Sequence, residues 1–340
     1  MPYPHLVYGG GYIGTTEVFN SPQSINDALS IVKDYESTES ITEIDTAHMY
    51  YGGEGLLGQA HASHDFIIDT KLTGGYDPGS LSRERVLNDV NESLEKLQVQ
   101  KLGILYLHAP DETIPIAETL STVNELYNQG KFTRFGLSNY SPSQVEMIYH
   151  HCQTHGYILP SVYQANYSAV SRKPEMILFP LLRKLSMSIY VYSPLSGGFL
   201  SKTRDQIMAA TGRFDNTTFR GGIYVHMYRK PVYLDALDEW NEIAHSAGCS
   251  KADLAYRWVR YHSFLRGACG DAVVFATSSL EQLRKTMDGF TAGPLSEDIV
   301  QRVNRMWESL EAHAPGDTFE AFQSMLSAKQ ARVQLAGITI

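Results

Sequence analysis

Eight short apolar runs, separated by stretches of helical period, constrain this chain more than any other feature. They fall at residues 5–8, 42–46, 66–71, 102–108, 132–139, 161–167, 188–194 and 271–277. Between them Val86, Leu87, Val90, Leu94 and Leu97 share one helical face. Ile116, Leu120, Val123 and Leu126 share another, with Pro115 at the start of that segment and Gly130 at its stop. Strands that alternate with helices pair in parallel, and runs this continuously apolar are buried on both faces. A closed (β/α)8 TIM barrel of the α/β class meets both conditions. A chain of 340 residues would otherwise suggest two domains, but α/β barrels run this long as one. The expected organisation is one barrel domain over residues 1–340, with a C-terminal tail from about residue 313.

Two stretches exceed what a barrel needs. Residues 199–231 form a long connection after the seventh strand, carrying Gly212-Arg213-Phe214 and Gly221-Gly222, and read as a lid loop. Helical stretches near 296–312 and 318–329 follow the eighth strand.

Charge and cysteine content narrow the setting. A net charge of −9 with no Lys/Arg cluster disfavours nucleic acid or an anionic membrane as partner. Cys152, Cys249 and Cys269 are odd in number and far apart, which suits neither a disulfide framework nor a zinc pattern. Met1-Pro2-Tyr3-Pro4-His5 lacks the basic and apolar regions of a signal peptide, and Gly337-Ile338-Thr339-Ile340 matches no targeting or lipidation signal. No run reaches the roughly 20 apolar residues that span a bilayer. A reducing, cytoplasmic setting is expected.

Gly9-Gly10-Gly11-Tyr12-Ile13-Gly14 satisfies GxGxxG after a strand. A dinucleotide fingerprint should open a helix at once and meet an acidic residue about 20 residues on. Here residues 15–22 are loop-like, a helix is expected only near Ser24, and the strand-end acid Asp45 comes late. The glycines read instead as a tight βα loop that lets something flat approach the backbone.

Asp45, Lys71 and His108 lie at the C-terminal ends of successive runs, with Tyr50 just beyond the first. In a parallel barrel such ends converge on the functional face, where Asn139 and Tyr192 would also lie. Reducing a carbonyl with a hydride leaves an alkoxide that needs a proton. Tyrosine, which ordinarily titrates near pH ~10, is a poor donor near neutrality unless a neighbouring ammonium stabilises the phenolate. Tyr50 is read as the acid, Lys71 as the ammonium, Asp45 as the partner that keeps it charged, and His108 as the group that orients the substrate oxygen. Spacing alone leaves Tyr51 beside Tyr50 as a rival.

These elements resemble a known family. Asp45-Thr46-Ala47-His48-Met49-Tyr50, Thr70-Lys71 and Leu105-Tyr106-Leu107-His108-Ala109-Pro110 resemble the tyrosine, lysine and histidine elements of the aldo-keto reductase superfamily. Gly136-Leu137-Ser138-Asn139-Tyr140, Val162-Tyr163-Gln164 and Ser278-Ser279-Leu280-Glu281-Gln282-Leu283 are similar to cofactor motifs of its aflatoxin-aldehyde reductase branch, the nearest in these motifs. The resemblance runs from Gly9 to about His313 and implies an NAD(P)H-dependent reductase without a metal.

The resemblance also implies site roles. Ser138, Asn139 and Gln164 would hold the nicotinamide carboxamide, and Tyr192 would stack on the ring. Ser193, Leu195 and Gly198 would pass the pyrophosphate, with Lys202 and Arg213 nearby. Ser278, Ser279 and Gln282 would bind phosphate. From the residues themselves, Ser279-x-x-Gln282 reads as a capping box opening a helix, and helix N-termini bind phosphate. Lys202, Arg213 and Arg284 favour NADPH over NADH. The chain departs from the pattern at Thr286, where the family often has Asn. It departs again at Met227, where the related branch has a lid arginine (Arg229 follows two residues on), and in its tail, Gly316-Asp317-Thr318-Phe319-Glu320. A larger or less charged carbonyl compound is therefore expected over short acidic aldehydes, acted on by a monomer or homodimer. Two other readings stay open: a cofactor-binding regulatory barrel with little turnover, and a barrel aldolase with Lys71 as Schiff-base lysine.

Overall fold

In a computed structural model describing residues 3–33 and 41–335, the eight runs form eight strands. They are β1 (His5–Gly9), β2 (Glu43–Asp45), β3 (Ile67–Leu72), β4 (Leu102–Leu107), β5 (Phe132–Ser138), β6 (Pro160–Asn166), β7 (Ser188–Tyr192) and β8 (Ala272–Phe275). The strands close into a barrel in chain order, and β1 pairs in parallel with both β2 and β8. The fold is the expected (β/α)8 TIM barrel with additional C-terminal helices.

The helices run in chain order as α1 (Pro22–Lys33), α2 (Gly53–Gln59), α3 (Arg83–Leu97), α4 (Ile116–Asn128), α5 (Pro142–His155) and α6 (Leu178–Lys184). They continue as α7 (Arg204–Met208), α8 (Phe219–Tyr228), α9 (Pro231–Ser246), α10 (Lys251–Tyr261), α11 (Leu280–Thr291), α12 (Glu297–Leu310) and α13 (Thr318–Leu335). None of the described helices is long and apolar enough to cross a membrane. Met1, Pro2 and the terminal 337–340 stretch considered above lie outside the described residues.

The chain forms two compact units. The first comprises residues up to Ala165 with Ile177–Tyr192 and Leu265–Thr291, and holds the barrel. Its interior is apolar at Val7, Ile104, Val162, Ala272 and Val274, with Tyr106 and Tyr190 among them. Neighbouring helices touch in the order α11, α1, α2, α3, α4, α5, α6, which is the outer ring. Helix α3 buries Val86, Val90, Leu94 and Leu97, the face its period predicts, while Leu87 sits at the edge of that face. Helix α5 starts on a capping box: Ser141 Oγ accepts from Gln144 N, Gln144 Oε1 accepts from Ser141 N, and Pro142 fits the first turn.

The GxGxxG segment is a turn, and α1 begins at Pro22, two residues before the expected Ser24. The amide of Gly10 donates to Asp45 O, and Gly14 has φ +74° with Tyr51 O only 2.3 Å from where a Cβ would sit. Gly10 and Gly14 therefore make the tight βα loop that the late helix implied, while Gly11 stands open.

The second unit comprises Asn166–Met176, Ser193–Phe264 and the chain from Ala292 onward. The stretch read as a lid loop is mostly helical: 3-10 segments at Ser196–Ser201, kinked at Gly197 and Gly198, and at Gly212–Phe214 alternate with α7 and α8. The apolar residues Phe199, Leu200, Ile207, Phe214 and Met227 bury fully within it, which explains why it is not an open loop. In the tail, Asp317 Oδ1 accepts from Glu320 N at 2.7 Å and caps α13, whose Phe319 and Phe322 are buried. Burial raises the Asp317 carboxyl to about 6.

Candidate active site

Parallel strands bring their C-terminal residues to one end of the barrel. Asp45 is the last residue of β2, Lys71 the penultimate of β3, and His108 follows β4 directly. Lys71 is fully buried, and its Nζ donates to Asp45 Oδ2 at 2.6 Å and Thr46 O at 2.7 Å. The ammonium lies 5.4 Å from the Tyr50 ring centroid and 5.6 Å from that of Tyr106. Burial alone pulls the Lys71 pKa down, but the adjacent Asp45 carboxylate outweighs it, so Lys71 holds its proton more tightly than ordinary lysine.

Tyr50 sits edge-on to His108, ring centroids 6.1 Å apart, whereas its neighbour Tyr51 is 85% exposed. The turn that separates the two is set by Tyr50 N donating to Ala47 O. All four predicted side chains thus meet at one end of the barrel. The arrangement places a phenol beside an ammonium whose charge a buried carboxylate maintains, with an imidazole edge-on to the phenol.

The strand-end residues of β5–β7 join the same unit. Gln164 on β6 donates through Nε2 to Asp45 Oδ1 at 2.7 Å. Asn139 takes a left-handed φ of +62°, which Asn tolerates better than most residues, and its Nδ2 reaches His108 O at 2.8 Å and Ser138 Oγ at 3.2 Å. Tyr192 is half-buried, its hydroxyl 3.5 Å from Asn139 Oδ1. These groups fit a carboxamide and a flat ring: amide and hydroxyl donors and acceptors beside an aromatic face. The Gln164 amide nitrogen is committed to Asp45, so its carbonyl oxygen is the group that would accept from a carboxamide.

Helix α11 begins as the sequence implied, with one difference. Ser279 Oγ accepts from Gln282 N at 3.2 Å, but Gln282 Oε1 reaches past the cap to Ser278 N (2.7 Å) and Ser278 Oγ (2.9 Å). Half of the capping box is made, and the other half fastens the preceding residue instead. Thr286, one helical turn on, is buried, and Arg284 is exposed.

Within the second unit, Ser193 (φ +60°) opens the turn that continues through Leu195 to Gly197 (φ +68°) and Gly198 (φ +95°). A Cβ on Gly197 would lie 2.3 Å from the Tyr224 ring, while one on Gly198 would meet nothing closer than 3.8 Å. The turn therefore presents a bare strip of backbone. Arg213 Nη1 donates to Tyr224 Oη at 3.3 Å, and Ser193 Oγ is 3.3 Å from the same oxygen. Lys202 contributes its carbonyl to Lys251 Nζ. Met227 is fully buried.

Sequence reasoning missed Tyr76, whose ring centroid lies 5.3 Å from that of His108. It sits on a single 3-10 turn, Gly74–Tyr76, too short to carry a period.

A closed parallel barrel with this set of strand-end groups defines a (β/α)8-barrel oxidoreductase. The aldo/keto reductase family model matches residues 5–308, and the chain belongs to the aldo/keto reductase family. The oxidoreductase sirO of Leptosphaeria maculans is 36% identical over 319 residues, covering 92% of this chain and 96% of its own. Human aflatoxin B1 aldehyde reductase member 4 is 36% identical over 290 residues, covering 81% and 87%. The aldo-keto reductase pigE of Monascus ruber is 31% identical over 325 residues, covering 90% and 95%. The family acts on small carbonyl compounds with nicotinamide cofactors, and this chain is an NAD(P)H-dependent oxidoreductase.

Proposed function

We propose that the chain reduces an aldehyde or ketone to an alcohol with NADPH, taking the proton from Tyr50. The observation that carries this reading is the buried Lys71–Asp45 pair against the Tyr50 ring. When bound, the nicotinamide supplies the hydride. Tyr50 Oη donates the proton to the developing alkoxide, and Lys71 stabilises the phenolate left behind. Asp45 keeps Lys71 charged and fixed. His108 holds the carbonyl oxygen in line with Tyr50, and Tyr76 narrows the space beside it.

Ser138, Asn139 and Gln164 would hold the carboxamide and Tyr192 would stack on the ring. Ser193, Leu195 and Gly198 would pass the pyrophosphate. Ser278, Ser279 and Gln282 would hold phosphate at the N-terminus of α11, where the helix dipole favours an anion. Lys202, Arg213 and Arg284 support NADPH over NADH. Met227, buried where the related branch has a lid arginine, offers no cation for a substrate carboxylate, which favours a larger or less charged carbonyl compound. The aldehyde reductases among the relatives support an aldehyde first.

The test is multiple-turnover oxidation of NADPH and NADH against a panel of aldehydes and ketones, with wild type and Tyr50→Phe. Wild type is expected to prefer NADPH. The variant is expected to lose roughly 10²–10⁴-fold in kcat while binding NADPH near normally. Wild-type turnover in Tyr50→Phe would remove the acid assignment.

A further inference from the structure

A second polar cluster lies in the barrel unit, outside the reaction site. Glu54, at the start of α2, is buried with both carboxylate oxygens engaged. Thr70 Oγ1 donates to its Oε1 at 2.6 Å, and Ser93 Oγ donates to its Oε2 at 3.1 Å. Ser93 Oγ also lies 3.2 Å from His48 Nδ1. The serine proton is already spent on Glu54, so its oxygen must accept, and His48 must carry hydrogen on Nδ1. That leaves Nε2 as the open ring position.

Nε2 faces two carboxylates: Asp89 Oδ1 at 3.8 Å and Glu92 Oε2 at 3.7 Å. Asp89 and Glu92 are three residues apart on α3 and share a face. Asp89 is 4% exposed, and its Oδ2 is buried without a hydrogen-bond partner. The nearby cations serve other atoms or stand off. Lys96 Nζ holds Glu92 Oε1 at 2.7 Å, and Arg85 Nε remains 3.8 Å from Asp89 Oδ1. A neutral Nε2 would aim its lone pair at two anions, so something positive belongs between them.

We propose that His48 Nε2, Asp89 and Glu92 form a binding site for a divalent cation of the zinc type. One imidazole and two carboxylates are a donor set such ions accept. The donor atoms all lie within 4.8 Å of one another. Donors on a tetrahedral ion at about 2 Å stand about 3.3 Å apart, so each imidazole–carboxylate pair would close by about 0.5 Å and the two carboxylates by up to about 1.5 Å. The buried Glu54–Ser93 pair behind Nδ1 is the support that fixes a ligating imidazole's tautomer and orientation. Glu92 is half exposed, which gives an ion its entry path. The ion would tie the loop after β2, two residues before Tyr50, to α3. It takes no part in hydride or proton transfer.

The rival occupant of this position is a proton on Nε2. Calorimetric titration with zinc chloride at pH 7.5 separates the two. It is run in a His151→Ala/His155→Ala background, because that stacked imidazole pair on α5 is another zinc donor set. The parent is expected to bind one zinc that Glu92→Gln and Asp89→Asn each lose or bind at least about tenfold more weakly. Glu92→Gln alters a half-exposed side chain, so its fold, checked by circular dichroism, should match the parent. Equal stoichiometry and affinity in the parent and Glu92→Gln, or no zinc bound by the parent, overturns the proposal in favour of the proton.

Discussion

Replacing Asp45 with Asn isolates what the Lys71–Asp45 pair contributes to stability. The charges are 2.6 Å apart, and both side chains are essentially excluded from water. At an effective dielectric of about 20 their attraction is about 6 kcal/mol. Desolvating each ion costs several kcal/mol, so the pair as a whole contributes little net. Removing one partner is different, because it strands a buried charge, a loss of about 3–5 kcal/mol. In Asp45→Asn the new amide oxygen would still accept from Lys71 Nζ, but its nitrogen would face the Gln164 amide nitrogen, two donors meeting where donor met acceptor. Asp45→Asn is therefore expected to cost about 3 kcal/mol, and Lys71→Met a similar amount. The double variant should cost clearly less than the two losses added together, since neither orphaned charge remains. Urea unfolding followed by far-ultraviolet circular dichroism at pH 7 measures all four proteins. Strict additivity, or a neutral Asp45→Asn, would refute the argument that the two side chains act as a buried pair.

Asp69 accepts from Ile104 N at 2.7 Å through Oδ1, while burial first, and then the Glu43 and Asp45 carboxylates, push its pKa well above the ordinary range. The folded state therefore keeps a proton that the unfolded chain releases near pH ~4, and this group erodes stability as pH rises from about 4 through its folded value. Asp69→Asn should gain stability over wild type at pH 8 and lose that advantage near pH 4. Thermal melts that run parallel across that range would contradict the linkage. Gly197→Ala forces a methyl into the Tyr224 ring at a left-handed φ, and should lower stability by about 2 kcal/mol. An unchanged melting temperature would show that the turn relaxes without cost.

The strands were legible because a doubly buried parallel strand has little choice but to be apolar, and each of the eight runs contains or overlaps its strand. Boundaries were not: β2 is only Glu43–Asp45 within the five residues anticipated, although Thr42 O and Thr46 N still bond to Ile67 N and Asp69 O at its two ends. Lys71, Asp45 and His108 were readable because polar groups at the ends of apolar runs stand out. The bond between Gln164 and Asp45 was not, because it joins residues 119 apart, and neither local pattern requires it. The helices within the 199–231 connection were missed for a related reason. Helices of five to ten residues broken by glycine carry too little period to be distinguished from loop, although Phe199 and Phe214 bury there like core residues.

That Gln164–Asp45 bond spans the ring: β2 and β6 stand four strands apart in a circle of eight. Neither a β1–β4 half nor a β5–β8 half can make it alone. It can form only once both halves of the ring have come together, after most of the chain has been ordered. A label sensitive to this pair would therefore report ring completion during folding, separately from the growth of helix or the pairing of neighbouring strands. Two such half-chains, produced apart and mixed, would regain the Asp45 environment only on assembly.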